Sequence, residues 1–307
     1  MNTHDLAAFI AVVDAGSIVQ AANKLHLTQP AVTRRVQGLE SLLGVELLDR
    51  QSKPLRPSAA GREVYRKGRQ MLEAESELMS SVNPATEPAG EFRLGVPPYL
   101  ADMMLAAPVD RLRERFPRLS LRIQNTWSPG LTAAVESDML DAAVVGFADG
   151  NAPPSSLLAH AFSRQPIRIV AAQSLGLPAK VDLERLSGFS WVLSQNGCGM
   201  RSVLRRAMEA SNLPFNVTVE AVGSELQLSL VARGAGVGMV TADLLERSGY
   251  RDRLKVLQVS DFRIDVVGWL AYRALPPRLE APVALLLEEL KKLPIALRFA
   301  GPRKRGA

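Results

Sequence analysis

Apolar residues in the first 43 positions recur at the spacing of short helices with one buried face. They follow the i, i+3, i+4, i+7 pattern in the first two helices and recur every three to four residues in the third, with breaks at Ala15-Gly16 and at His26-Leu27. Ser17 and Thr28 follow these breaks and are good N-caps for a second and a third helix. The residues predicted to point inward are Leu6, Phe9, Ile10 and Val13 in the first helix, Ile18, Ala21, Ala22 and Leu25 in the second, and Val32, Val36, Leu39 and Leu43 in the third.

The third helix is followed by a pattern that suits a two-stranded wing. The apolar pair Leu47-Leu48 precedes a basic turn with a proline, and a short return follows at Leu55-Arg56. Ser58 is then placed to cap a long helix that runs to about Val82.

Apolar pairs recur every seven residues along this long helix, which is the spacing of a coiled-coil stripe. A stripe on a helix outside any compact domain needs a partner helix to cover it. The alternative is that it packs on the next domain of its own chain. The predicted dimerisation residues are Val64, Met71, Leu72, Leu78 and Met79, with Tyr65 beside Val64 in the first pair.

Residues 83–90 contain two prolines and a glycine without periodicity, which indicates a linker. Beyond it, short β-like runs alternate with helical stretches, and this order predicts an α/β architecture with largely parallel sheets. The predicted strands are 92–96, 119–123, 142–145, 167–171, 191–193, 217–222 and 237–240, and the helices between them include 103–116, 203–210 and 226–232.

Composition narrows the class of protein and its partners. The chain is 47% hydrophobic and 22% charged, which is a globular composition. Its net charge of +6 favours a polyanionic partner, although such a charge also serves solubility alone. No apolar stretch is long enough for a membrane span and no signal-peptide pattern is present, so we expect a cytoplasmic protein. One cysteine and three histidines argue against a disulfide framework and a structural zinc site, and we expect no metal or cofactor.

The outward face of the third helix carries side chains that can read DNA bases. Two short amphipathic helices joined by a tight turn are the geometry of a helix-turn-helix. With the apolar residues inward, Thr33, Arg34 and Gln37 point outward, and their donors and acceptors match base edges in the major groove. The alternative is an ordinary solvated helix face.

Several short motifs in this region resemble the N-terminal signature of LysR-type transcriptional regulators. They are Asp5-Leu6-x-x-Phe9, Ala15-Gly16-Ser17, Ala21-Ala22-x-x-Leu25, Thr28-Gln29-Pro30-Ala31-Val32-Thr33 and Leu39-Glu40-x-x-Leu43-Gly44. The resemblance implies a winged helix-turn-helix, a long dimerisation helix, and an effector-binding domain of two α/β subdomains similar to periplasmic binding proteins. The wing departs from the family at Leu48, where phenylalanine is usual, at Lys53, where arginine is usual, and at Pro57-Ser58 before the long helix.

The residues and the resemblance together define the predicted DNA contacts and domains. Arg35, on the flank of the third helix, and Arg50 and Lys53 in the wing are expected at phosphates. The full predicted set is Thr28, Gln29, Pro30, Thr33, Arg34, Arg35, Gln37, Arg50 and Lys53. The predicted domains are 1–58 for DNA binding, 59–90 for the dimerisation helix and hinge, 91–162 plus 268–297 for one effector subdomain, 163–267 for the other, and 298–307 as a basic tail.

Three polar loops follow predicted strands, where ligands bind in open α/β sheets. The loops are 95–99, 125–130 and 194–201, and their N–H groups at helix starts favour a small organic anion, such as a carboxylate. Arg201 is either its cation partner or an ordinary surface residue. Tyr99, Trp127 and Phe147 either stack on an aromatic ligand or pack in the core. The predicted effector contacts are Pro98, Tyr99, Ser128, Gln195, Asn196, Cys198 and Arg201.

The predicted function is ligand-controlled transcription by a homodimer or homotetramer that binds a double-stranded DNA operator. RNA polymerase is a further candidate partner. An enzyme is the first alternative, but the sequence has no Gly-x-Ser-x-Gly motif or metal cluster, and the glycine-rich run 234–238 precedes a strand. An architectural DNA-binding protein is the second, and the long α/β module argues against it. Cys198 has no second cysteine to pair with, so we expect a packing or ligand-lining role.

Overall fold

The computed structural model describes residues 2–81, 87–104, 107–195 and 197–293. The chain divides into a first and a second unit between Thr86 and Glu87. Within the described ranges, no helix combines the length and apolar character needed to cross a membrane.

Three helices open the first unit, as the apolar spacing predicts. Asn2 caps the first helix by accepting a hydrogen bond from the His4 N–H, and Thr28 caps the third by accepting from Ala31 at 3.4 Å. Ser17 holds the N-cap position of the second helix but makes no capping hydrogen bond with its side chain. The helices are α1 (Thr3–Ala15), α2 (Ile18–Leu25) and α3 (Gln29–Leu43).

The core of the first unit contains most of the residues predicted to point inward, but not all of them. Leu43 is 39% exposed, so its predicted inward position is wrong. It is the last residue of α3, and Gly44 follows it in the left-handed conformation and ends the helix. Val13, Ile18 and Leu25 are half-buried. The buried members of the predicted set are Leu6, Phe9, Ile10, Ala21, Ala22, Val32, Val36 and Leu39.

The wing and the long helix follow. Strands β1 (Leu48–Asp49) and β2 (Arg56–Pro57) pair antiparallel. Helix α4 (Ala59–Ser81) begins as predicted, because the Ser58 Oγ accepts a hydrogen bond from Gly61 N–H at 2.9 Å and donates one to the Glu46 carbonyl at 2.7 Å. The predicted end at Val82 and the first half of the predicted linker, 83–86, lie outside the described residues.

The first turns of α4 belong to the core of the first unit. Tyr65 is buried and donates a 2.5 Å hydrogen bond to Asp14 of α1. Gly68 allows α4 to approach α1, since a Cβ there would lie 2.5 Å from the Leu6 Cδ1. The prediction that places Tyr65 in a stripe for a partner helix is therefore wrong, because its ring packs within its own unit.

The second unit alternates strands and helices. The predicted helix 103–116 corresponds to helical residues on both sides of 105–106, which lie outside the described residues. The strands are β3 (Gly90–Val96), β4 (Leu119–Asn125), β5 (Ala142–Ala148), β6 (Leu158–Ala172), β7 (Lys180–Val181), β8 (Trp191–Ser194), β9 (Val217–Ala221), β10 (Val237–Thr241), β11 (Leu254–Val259) and β12 (Asp265–Tyr272). The helices are α5 (Pro98–Met104), α6 (Ala107–Arg115), α7 (Ser128–Glu136), α8 (Leu183–Ser187), α9 (Gly199–Ala210), α10 (Ser224–Ala232), α11 (Ala242–Arg247) and α12 (Pro277–Lys292).

The sheet of the second unit is mixed, whereas the pattern predicts largely parallel sheets. In the described part of the chain the order is β4-β3-β5-β12-β6-β10-β8-β9, with β11 paired to β6 and β7 paired to β11. The trios β4-β3-β5 and β10-β8-β9 are parallel, but β6 and β12 pair antiparallel with their neighbours. These two long strands cross between the halves of the unit, and their direction introduces the antiparallel pairs.

Strand β6 changes partners between Pro166 and Ile167. Before this point it pairs with β12, and after it with β10 and β11. The change lies four residues after the predicted boundary at 162/163, and β12 begins at Asp265, three residues before the predicted boundary at 267/268. Residues 294–297 of the predicted first subdomain and the predicted tail 298–307 lie outside the described residues.

Candidate nucleic-acid interface and ligand cleft

Helix α3 presents a polar face whose start is held by its cap. Gln29 and Pro30 are exposed in the first turn, and Arg34 and Gln37 are exposed further along the helix. Thr33 and Arg35 are half-buried, so Arg35 lies on the flank as predicted and Thr33 is less open than predicted. Arg34 and Gln37 are therefore the most accessible of the predicted base-reading side chains beyond the first turn.

The wing is tied to α3 by a buried acid that the sequence pattern did not single out. Glu40 is 9% exposed, accepts the Leu47 N–H at 2.9 Å, and forms an ion pair with Arg50 at 2.8 Å. The Arg50 side chain remains 56% exposed, so it is anchored at one point while much of it faces solvent. Lys53 is exposed in the turn between β1 and β2. Of the two predicted phosphate contacts in the wing, Arg50 is therefore held by an ion pair and Lys53 is open to solvent.

Helix α4 exposes apolar residues beyond its first turns. Met71 is 45% and Leu78 67% exposed, whereas Val64 and Leu72 are half-buried. The side chain of Met79 lies outside the described residues. Of the predicted dimerisation residues, Met71 and Leu78 thus form an exposed apolar pair seven positions apart.

In the second unit, the hydroxyl of Tyr99 lies over Gly146. A Cβ on Gly146 would fall 1.6 Å from this hydroxyl and 3.2 Å from Val266, so only glycine leaves room for it. The hydroxyl is shut off from solvent and has no hydrogen-bond partner among the described residues. Burial, and to a lesser extent the nearby Cys198 sulfur, raise the pKa of Tyr99 well above its usual range. Tyr99 therefore stays a neutral hydrogen-bond donor.

Two of the predicted loops meet around this point. A Cβ on Gly197 would lie 3.3 Å from Trp127 Cδ1, so loop 194–198 of one half touches loop 125–128 of the other. Ser128 is buried at the start of α7, and its Oγ accepts the Gly146 N–H at 2.9 Å. Pro98 is half-buried at the start of α5. Loop 95–99 reaches the same place through Tyr99, whose hydroxyl lies over Gly146.

Cys198 lies where these loops converge. It is the N-cap residue of α9 and is 3% exposed. Burial raises the pKa of the Cys198 thiol, although the backbone N–H groups of Arg201 and Met200 partly oppose the shift. A protonated, buried thiol is a weak nucleophile, which agrees with a packing or ligand-lining residue. Gln195 is exposed, and Asn196 lies outside the described residues.

Arg201 differs from one of the two alternatives that the sequence leaves open. It is 6% exposed, so it is not a surface arginine, and it already forms an ion pair with Glu220 at 2.7 Å. The same Nη1 donates to the Ser194 carbonyl at 2.9 Å. Its Nε–H is buried without an acceptor among the described residues. Arg201 can therefore donate one more hydrogen bond, but Glu220 balances its charge.

Gln165 adds a further buried polar atom to the same region. It is 3% exposed, and its Oε1 has no partner among the described residues. Gln165 stands directly opposite Val266 in the antiparallel β6-β12 pair, so both side chains lie on one face of the sheet. Tyr99, Ser128, Gly146, Gln165, Cys198 and Arg201 are called the ligand cleft below.

Comparisons with known proteins agree with both units. A family model described as the LysR substrate binding domain matches residues 85–292, which is more than half of the chain. A second, described as the bacterial regulatory helix-turn-helix protein, lysR family, matches residues 3–62. The protein belongs to the LysR family. It is accordingly a DNA-binding transcriptional regulator with an effector-binding domain, and such regulators are as a class not enzymes.

Individual LysR-family relatives align over most of the chain. The RuBisCO operon transcriptional regulator of Allochromatium vinosum is 26% identical over 281 residues, which cover 89% of this chain and 90% of that protein. A full-length OxyR variant from Pseudomonas aeruginosa shares the fold with a TM-score of 0.75 at 20% identity, covering 96% of each chain. Full-length CbnR in complex with its target DNA has a TM-score of 0.60 at 19% identity, covering 94% of this chain and 100% of that one.

Three residues at the sites of this LysR-family protein are not among the site residues that the sequence predicts. Glu40 appears only as part of the family signature, Gln165 lies just before a predicted strand, and Glu220 lies within one. Their roles come from partners in space, namely Arg50, the face shared with Val266, and Arg201. An acid inside an otherwise apolar helix or strand pattern is the one signal that could have indicated Glu40 and Glu220.

Proposed function

We propose that two copies of this LysR-family regulator bind a two-fold operator, and that a small polar molecule in the ligand cleft controls this binding. The observation that carries the proposal is that one chain contains both a surface suited to DNA and a buried site suited to a ligand. The surface is formed by the exposed side chains of Arg34 and Gln37 on a capped helix. The buried site consists of polar atoms without hydrogen-bond partners among the described residues, between the two α/β halves.

On the DNA side, α3 enters the major groove and the wing contacts the backbone. Arg34 and Gln37 read base edges, whereas Arg35, Arg50 and Lys53 meet phosphates. CbnR was solved with its target DNA, and its fold match to this chain supports this docking. The contact set also includes Thr28, Gln29, Pro30 and Thr33 at the start of α3.

Dimerisation uses the exposed stretch of α4. Met71 and Leu78 lie on the helix at a seven-residue spacing, and two such helices cover each other's apolar side chains. A two-fold operator needs two winged domains, so the dimer is a condition of tight binding.

The ligand cleft lies between one half, residues 90–166 with 265–293, and the other, residues 167–264. The Tyr99 hydroxyl and the Arg201 Nε–H lack acceptors, and the Gln165 carbonyl lacks a donor, among the residues that the structure describes. Leaving one buried polar group without a hydrogen-bond partner costs about 1–3 kcal/mol of free energy. A ligand that makes hydrogen bonds to all three groups removes this cost, which favours its binding. Because Glu220 balances Arg201, the ligand needs acceptor oxygens and a donor but not a full negative charge. The predicted carboxylate is one such ligand among several.

Selection from a random duplex library with the full-length protein tests the DNA half of the proposal. We expect an enriched motif with two-fold symmetry. The same selection with Arg34→Ala should lose the preference at one position of each half-site. Enrichment of no sequence at all would refute specific operator binding.

A thermal-shift screen of small polar metabolites tests the ligand half. A compound that raises the melting temperature of the protein should do so less for Tyr99→Phe, which keeps the ring and removes the unpaired donor. The same compound should change the affinity for the selected operator. A binder whose effect is equal in Tyr99→Phe and Gln165→Leu would place the site outside the cleft.

A further inference from the structure

The two strands that run along one edge of β6 leave a gap between them. Strand β11 pairs with β6 from Ala172 back to Ile169, and β12 begins to pair at Pro166. Between these pairings, residues 258–263 do not pair with β6, and β11 turns to pair with β7 at Gln258 and Val259. The two segments meet again where the Ile167 N–H donates a 2.9 Å hydrogen bond to the Ile264 carbonyl. The gap therefore lies where the chain crosses between the two halves of the second unit.

A cavity of about 550 Å³ occupies this gap, and we call it the crossover cavity. Its walls are residues 166–169 of β6, residues 256–259 of β11 and residues 262–265, together with Glu246 and Arg251. None of these residues belongs to the ligand cleft. The cavity is large enough for a small ion or metabolite and touches both crossing segments.

The crossover cavity contains three guanidinium groups and two carboxylates, which makes its formal charge +1. Arg251 is paired with Glu246 at 3.0 Å. The side chains of Arg168 and Arg263 make no ion pair or hydrogen bond within the described ranges, and neither does the carboxylate of Asp265. The cavity thus offers two uncommitted arginines and one uncommitted acid.

We propose that the crossover cavity binds hydrogen phosphate or the phosphate group of a small metabolite. The planar fork of a guanidinium matches two oxygens of a tetrahedral oxyanion, so Arg168 and Arg263 together engage its negative oxygens. Near neutral pH hydrogen phosphate always keeps an O–H, and a phosphate ester keeps one for part of the time, since its second pKa is about 6. That O–H donates to Asp265, a contact that fully ionised sulfate cannot make. Asp265 therefore favours phosphate, which can donate a hydrogen bond to it, over anions that it only repels.

This site is separate from the ligand cleft and goes beyond the proposed function. The walls of the cavity come from both segments that join the two halves, residues 166–169 and 262–265. A bound phosphate therefore links these two segments. Operator binding in the absence of phosphate does not depend on it.

Calorimetric titration of the full-length protein with sodium phosphate and with sodium sulfate, at constant ionic strength in sodium chloride, tests the proposal. We expect phosphate to bind and sulfate to bind at least about tenfold more weakly. Arg168→Gln and Arg263→Gln should each weaken phosphate by about tenfold or more, the scale of one charged hydrogen bond. Arg206→Gln, which removes an exposed arginine of α9 away from the cavity, should bind phosphate like the wild type.

Asp265→Asn supplies a result of opposite sign that does not depend on the arginine variants folding. An amide donates to sulfate as well as to phosphate, so this variant should bind sulfate at least as tightly as phosphate. The proposal is overturned if wild-type protein binds phosphate no better than sulfate or chloride. It is equally overturned if Asp265→Asn keeps the wild-type preference, or if folded Arg168→Gln and Arg263→Gln proteins bind phosphate unchanged.

Discussion

Two cations of the first unit carry the same charge but occupy different positions. Arg34 is exposed on α3, where a guanidinium can pair with two acceptors of one base. Lys53 is exposed in the wing turn, where its ammonium acts as a point charge. At the residue scale, these two positions are the basis of the proposed division between base reading and backbone anchoring.

Arg34→Ala should cost about 1–3 kcal/mol at the selected operator and relax the preference for one base pair. Lys53→Ala should weaken specific and unspecific DNA alike and reduce the salt dependence by about one released counterion. Fluorescence anisotropy over a range of salt concentrations measures both effects. Lys67→Ala, on α4, removes the same charge from the same unit as a control. Identical behaviour of the Arg34 and Lys53 variants would remove the division of roles.

Helix α4 is a single element with two environments. Its first turns pack Tyr65 and Gly68 against α1, and its later turns expose Met71 and Leu78. A continuous helix therefore links the core of the first unit to the apolar surface at which we propose that a second copy binds.

At this element scale, the double change Met71→Glu and Leu78→Glu should break the dimer. Two carboxylates on each helix place like charges and buried polar groups at the proposed contact. We expect a smaller sedimentation coefficient and loss of tight operator binding, with unchanged helix content.

The control for this double variant is Gln70→Glu, which adds a carboxylate at an exposed position of the same helix. Position 70 lies roughly 100° around the helix from Met71, so it is outside the proposed contact. The control should sediment like the wild type. If the double variant does so as well, the dimer contact lies elsewhere.

Strand β5 and helix α5 meet where Gly146 faces Tyr99. Gly146→Ala would place a methyl group 1.6 Å from the Tyr99 hydroxyl, so the ring must move. We expect a loss of about 1–3 kcal/mol in the free energy of unfolding, the scale of overpacking. Adding Tyr99→Leu should recover part of this loss, which makes the two changes non-additive. Denaturant melts of the four proteins measure the coupling, and simple additivity would contradict the contact.

At the scale of the whole molecule, the proposed dimer presents two winged domains to one operator. An operator cut to a single half-site should bind at least about a hundredfold more weakly than the full site, because the second contact becomes intramolecular once the first has formed. A duplex of equal length with one scrambled half-site is the matched probe. Equal affinity for both duplexes would mean that one domain suffices.

Much of the molecule could be predicted from local pattern. Helix spacing, caps at Thr28 and Ser58, and strands ahead of polar loops depend on neighbours within a few residues, and these elements formed close to where they were expected. The misplacement of Leu43 and Tyr65 has the opposite cause. The spacing of apolar residues along a helix shows which face is buried, but not where the core ends or which other helix covers a given turn.

The sequence by itself therefore determined the family, the order of the elements and the exposed polar side of α3, because these depend on short-range spacing and on a local signature. Tertiary structure decided the chemistry of the sites. Glu220 balances Arg201 from 19 positions away, and Tyr99 reaches Gly146 across the fold. The path of the chain between β11 and β12 opens the crossover cavity. Charge balance, buried unsatisfied atoms and cavities arise only when distant segments meet, so no local pattern encodes them.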